Sequence, residues 1–163
     1  MDYLDRPLHS PGTDRAGPGV RRGHPGEATK MALDKLHFAV SQDEEHTFLC
    51  IEYGSGLCQL GERVHHYPLL VLARLRLEDT QRGLEPANQG WVDLSRLASM
   101  LGIDPAYLNI QIFRARRQIA KALIPGVGMI EIVERRRGQI RIGAFAIWIV
   151  RGSDVEAEPL DVA

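Results

Sequence analysis

The sequence predicts an α+β fold: a small antiparallel sheet, then three helices, then a basic β-hairpin. Residues 36–60 carry the two-residue alternation and the β-forming side chains of strands. Residues 67–123 carry apolar stripes at three- and four-residue spacing, separated by glycine and proline. Residues 129–150 return to a strand pattern, broken by Arg135-Arg136-Arg137-Gly138.

In the first of these regions Phe38 and Val40 alternate with polar neighbours, and residues 47–53 are rich in β-formers. Gly54-Ser55-Gly56 turns the chain into Leu57-Cys58-Gln59-Leu60, which reads as a hairpin. A first helix follows over 67–82. Pro68 stands near its start, where a missing N–H is harmless, and Gly83 ends it. Leu70, Ala73 and Leu77 mark its inner face, widened by Leu69 and Leu72. The loop over 84–90 holds Pro86, Asn88 and Gly90.

Trp91-Val92 is a short apolar step, after which Asp93 is expected to cap a second helix with its side chain. Leu94, Leu97, Ala98 and Leu101 form that helix's stripe, and Gly102 stops it. Asp104-Pro105 repeats the cap signal for a third helix over 104–123. Leu108, Ile112, Ala115, Ile119 and Leu123 share one face, while Ile110, Arg114, Arg117 and Lys121 point the other way. Phe113 lies at the boundary and either packs on the first helix or stays an exposed apolar contact. The final hairpin runs from a strand over 129–134 to a long strand over 139–150, which Gly143 either bulges or divides.

The chain of 163 residues, 44% hydrophobic, suits one domain over 36–151 with a sheet at 36–62, helices at 66–123 and a hairpin at 129–150. Residues 1–35, in which Pro7, Pro11, Pro18 and Pro25 alternate with glycines, predict a disordered tail. Arg21-Arg22-Gly23-His24 within it is either solvated or a flexible basic arm, and Met31 is an alternative start. The acidic residues over 152–163 predict a frayed end. No stretch approaches the roughly 20 apolar residues of a membrane span, and no secretory h-region opens the chain. Two cysteines, Cys50 and Cys58, are too few for a disulfide scaffold and suit a reducing, cytoplasmic setting.

Charge is unevenly placed. Residues 107–141 hold eight Lys/Arg and two Glu, a net +6 in a chain whose total is −1. Folding does not require such segregation; a surface that meets a polyanion does. Two helices joined by Leu101-Gly102-Ile103, the second one longer, read as a helix-turn-helix, and the hairpin after them as a wing.

On these residues the chain resembles the winged helix-turn-helix output domain of response regulators, the OmpR/PhoB type. Gly90-Trp91-Val92-Asp93 followed by Leu97 is similar to that family's approach to its second helix. Leu108-Asn109-Ile110-Gln111-Ile112-Phe113-Arg114-Ala115-Arg116-Arg117 resembles its recognition helix, and Ile132-Val133 through Arg141-Ile142 its wing. The chain departs from the family at Gln111, at Phe113 and in the spacing of the arginine bend. No receiver domain precedes the domain, so phosphoacceptor control is not expected.

The resemblance implies a bacterial-type transcriptional regulator that reads double-stranded DNA. Its position implies that Arg114 contacts a base edge, where a bidentate arginine–guanine pair discriminates by about 1–3 kcal/mol. Asn109, Ile110 and Phe113 join it as base-contacting candidates. Arg116, Arg117 and Lys121 suit phosphates. Arg135, Arg136, Arg137 and Arg141 form the wing, which enters the minor groove or lies along the backbone. A homodimer through the last strand or the N-terminal sheet is a further expectation; alternatively, that strand completes the N-terminal sheet. The rival function is a protein-interaction adaptor whose basic face meets an acidic protein.

Catalytic motifs are missing: no G-x-S-x-G, H-E-x-x-H or P-loop occurs, so no enzyme, cofactor or small-molecule substrate is expected. His46, Cys50, Cys58, His65 and His66 match no zinc spacing, so no metal is expected. Cys50 and Cys58 flank a hairpin turn and are read as small hydrophobes, with a redox pair as the alternative.

Overall fold

The structure, a computed structural model, describes residues 33–54, 56–123 and 131–159. Nearly all of the expected tail over 1–35 lies outside them. The first strand nevertheless begins ahead of the expected position 36.

Strands β1 (Leu33–Val40), β2 (Thr47–Tyr53) and β3 (Gly56–Glu62) form the expected antiparallel meander. Thr47, Leu49, Ile51 and Tyr53 alternate inward with Leu36, Phe38 and Val40. Helix α1 (His66–Gln81) covers that face. Leu69, Leu70, Leu72 and Ala73 are buried, and so is Arg76, which the apolar pattern did not flag. The helix is hemmed by β2 on one side and by the third helix and a later hairpin on others, so its buried residues spread beyond a single stripe.

After a 3-10 turn (Pro86–Asn88) come β4 (Val92–Asp93), α2 (Leu94–Leu101) and α3 (Pro105–Ala122). Gly102, with φ 66°, ends α2 in the left-handed region, and the Ile103 N–H bonds Ala98 O at 3.0 Å. Both expected aspartate caps are corrected: neither Asp93 nor Asp104 makes a side-chain cap bond. Asp93 is part of a strand, and the first N–H of α2, that of Leu94, donates instead to Gly138 O at 3.0 Å. At α3 it is the main-chain oxygen of Asp104 that accepts, from Leu108 N–H at 2.9 Å.

The expected long strand over 139–150 is also corrected. It divides into β6 (Gln139–Ile142), which pairs with β5 (Val133–Arg136), and β7 (Ala146–Arg151), which leaves for the other sheet. The strand divides at Gly143, whose O accepts from Phe145 N–H at 3.0 Å in a tight turn; glycine fits there because a Cβ would lie 2.6 Å from the Phe145 ring and 3.1 Å from Glu131 O. Strand β7 lies parallel to β1, with Leu36 opposite Ile147. The frayed end expected over 152–163 is corrected for 154–157, which form β8 (Asp154–Ala157) against β7.

The described residues thus make an α+β fold with a five-stranded sheet, order β3-β2-β1-β7-β8, and a three-stranded sheet, order β4-β6-β5. The last long segment completes the N-terminal sheet, and β7 has both edges paired, so a second copy cannot add to those edges. One core joins the two sheets. Leu97, Leu108, Ile112, Ala115, Ile132, Ile140 and Ile142 continue it from the sheet–α1 layer to the hairpin.

Candidate nucleic-acid interface

Helix α3 has the two faces expected of it. Leu108, Ile112, Ala115 and Ile119 are buried. Tyr107, Ile110, Arg114, Arg117 and Lys121 form an exposed stripe on the far side. Among the described residues, Arg114, Arg117 and Lys121 have no hydrogen-bond or ion-pair partner. Phe113, left open between core and surface, is 62% exposed.

A second stripe of α3, Asn109–Phe113–Arg116, turns toward the hairpin. Arg135 Nη2 donates to Asn109 Oδ1 at 3.1 Å, and Arg116 Nη2 to Glu131 Oε1 at 3.2 Å. Positions seven apart lie on one side of a helix, so these two contacts moor the chain around β5 along α3. They also occupy Arg116 and Asn109, which the sequence offered for phosphate and base.

The hairpin turns through Arg137 (φ 33°) and Gly138 (φ 77°), both in the left-handed region, the geometry whose twist matches paired strands. Asparagine, aspartate or glycine is the usual first residue there; an arginine costs about 1 kcal/mol of backbone strain. Arg137 is exposed and without a partner among the described residues.

Its neighbours are engaged. The Arg136 guanidinium lies 4.1 Å and that of Arg141 4.4 Å from the Trp91 ring centroid. Arg136 Nε also donates to Gln139 Oε1 at 3.1 Å. The Arg141 side chain is only 12% exposed. Its Nε bonds Glu134 Oε2 at 2.7 Å, and its Nη1 reaches the carbonyls of Pro86, Ala87 and Gln89 at 3.0 to 3.2 Å. Arg141 therefore clamps the loop before β4 onto the hairpin rather than standing free. Trp91 and Glu134 were missed by the sequence reading; a tryptophan ahead of a predicted helix carries no signal that it will meet arginines fifty residues on.

The histidine pair has a structural part. Gln118 Nε2 donates to Leu60 O at 2.9 Å, which turns its Oε1 toward His65 Nε2 at 2.7 Å and His66 Nε2 at 2.8 Å. His66 is buried, and desolvation outweighs the Gln118 bond and holds its pKa below the ordinary 6.5. Cys50 lies on the outer face of the sheet beside His37 and Trp148, while Cys58 faces Ala122 O at 3.9 Å on the inner one; both are free thiols. Among the described residues no three His, Cys, Asp or Glu group as metal ligands would, and no helix is long and apolar enough to cross a membrane. No protein-family model, curated protein or solved structure matches this chain.

Proposed function

We propose that the chain is a cytoplasmic winged helix-turn-helix protein of the OmpR/PhoB type that binds double-stranded DNA and regulates transcription. One observation carries the reading: α3 exposes the unpartnered side chains of Arg114, Arg117 and Lys121, and the Arg135–Asn109 contact at 3.1 Å seats the arginine hairpin against that same helix. The pairing of β4 with β6 supports the winged form, since it fastens the hairpin to the start of α2.

In this reading α3 enters the major groove. Arg114 reads a base edge, with Ile110 and Phe113 as apolar contacts to thymine methyl groups. Arg117 and Lys121 neutralise phosphates, which fixes register without reading sequence. Arg137 reaches the backbone or minor groove from a turn whose strain is repaid on binding. Arg116 and Asn109 contribute by exchanging Glu131 and Arg135 for the nucleic acid, and Arg141 acts by holding the hairpin. The test is an anisotropy titration of the whole protein with mixed-sequence duplex DNA at several salt concentrations. Affinity should fall by about 0.9 log units per contacted phosphate for each decade of salt. No affinity at low salt rejects the proposal.

A protein adaptor is the second reading. It is favoured by the large apolar side chains that α3 exposes, Phe113 at 62%, Ile110 at 46% and Tyr107 at 41%. It predicts that Arg114→Ala and Arg117→Ala leave DNA affinity unchanged while capture of a partner protein is lost.

A further inference from the structure

A cleft of about 610 Å³ lies between α1, the loop ahead of β4, the crossover at Ala144–Ala146 and β8. Its size is that of small-molecule sites, which run from about 300 to 1,000 Å³. Arg76, only 7% exposed, lines it. A guanidinium carries five N–H donors. Arg76 spends one on Ile142 O at 2.8 Å and has no ion-pair partner among the described residues. The nearby carboxylate of Glu134 is taken by Arg141.

Burial of a cation without a counter-ion is costly, because water can satisfy the donors but not fully replace the lost hydration. The root of the Arg76 side chain is held in place. A Cβ on Gly90 would lie 2.8 Å from the Arg76 Cβ, so the loop backbone is pressed on its stem. Desolvation and the neighbouring Arg141 cation both push its pKa below that of a free guanidinium.

Other lining residues narrow the chemistry. Leu77, Phe145 and Ile147 offer apolar surface. Glu156 and Glu158 also line the cleft, the first engaged by Arg74 and the second exposed, and they oppose a second negative charge. We infer that this cleft binds a small organic monoanion with an apolar body, its acidic group paired to Arg76. The inference does not depend on the nucleic-acid reading.

Amide-resolved NMR titrations of the full chain with 4-phenylbutyrate, 4-phenylbutanol and phenylsuccinate test it. The monoanion should bind saturably, with a Kd on the order of a millimolar for a ligand that small. Shifts should centre on Leu77, Phe145 and Ile147, and the alcohol and the dianion should bind at least tenfold more weakly. Arg76→Met keeps the stem under Gly90 and removes the charge; it should cost tenfold or more in affinity. Ala144→Trp fills the rim with Arg76 in place and should also abolish binding. Equal affinity for acid and alcohol, shifts confined to the outer sheet face around Phe48 and Trp148, or unchanged affinity in both variants would overturn the assignment.

Discussion

Arg74, in the middle of α1, donates two hydrogen bonds to Glu156 of β8, at 2.7 and 2.9 Å, and two more to Glu44 at 3.0 Å each. One guanidinium thus ties the helix, the turn after β1 and the edge strand β8. Burial works against its charge, but the bonds from Glu156 and Glu44 outweigh it and raise its pKa. This fork explains why the acidic end folds back rather than fraying. Glu156→Ala should destabilise the protein by about 1 kcal/mol, more than an isolated surface pair would. Urea unfolding measures the loss, and hydrogen exchange should speed first at the β8 amides. Unchanged exchange there would show that backbone pairing alone holds the strand.

Trp91 holds Arg136 and Arg141 by its ring and Ala87 O by its Nε1–H at 2.9 Å. Trp91→Ala should cost about 1–2 kcal/mol, two cation–π contacts at about 0.5–1 each. Trp91→Phe should recover part of it. If both variants unfold at the same denaturant concentration as the parent, the stack is incidental.

Gly90 and Gly83 share nearly the same φ, 76° and 78°, but differ in surroundings: an added Cβ meets Arg76 at the first and nothing within 4 Å at the second. Gly83→Ala should cost about 1–2 kcal/mol of backbone strain. Gly90→Ala should cost about 2–4 kcal/mol, since overpacking is added. Thermal unfolding of the pair separates conformation from contact, and equal losses would remove the close approach as a cause.

For DNA, Arg114→Ala and Arg117→Ala should differ in kind. The first should lose about 1–3 kcal/mol on a preferred site and little on random duplex, flattening sequence preference. The second should weaken all sequences alike and reduce the salt slope by about 1. A selection from a genomic fragment library, repeated with each variant, reads both effects. Identical losses on every sequence for both variants would remove Arg114 from base contact.

His66 binds its proton less tightly folded than unfolded, because its burial outweighs the Gln118 bond and the electrostatic influence of the neighbouring His65 and Arg63 adds to that effect. Below the unfolded value of 6.5 the unfolded chain therefore takes up more protons, and stability falls as pH drops toward the lower folded value. His66→Gln should flatten that part of the profile. Glu44 supplies a separate loss at lower pH: the Arg74 bond holds its pKa under 4.5, so its contribution is present above 4.5 and disappears as pH falls through the folded value. Denaturant midpoints at half-unit pH steps from 7.5 to 3.5 give the profile. A His66→Gln curve parallel to the parent's between pH 6.5 and 5 would exclude the histidine.

The local sequence determined the elements. Alternation along 47–53, the stripe Leu108–Ile112–Ala115–Ile119, and the glycines at 54, 83 and 102 act over a few residues, so helix, strand and turn were legible to within a few positions. The outward face of α3 was legible for the same reason, since rotation per residue is a local property. What each cation meets was not. Arg141, Arg116 and Arg74 find their carboxylates and carbonyls 7 to 82 positions away along the chain. Only the tertiary structure brings those together, and so only it separates the cations that clamp the fold from Arg114, Arg117, Lys121 and Arg137, whose side chains meet no partner among the described residues. It likewise decided the fate of the last strands and of Arg76. Pairing across a sheet and burial against a loop depend on distant segments meeting, which no window of residues encodes.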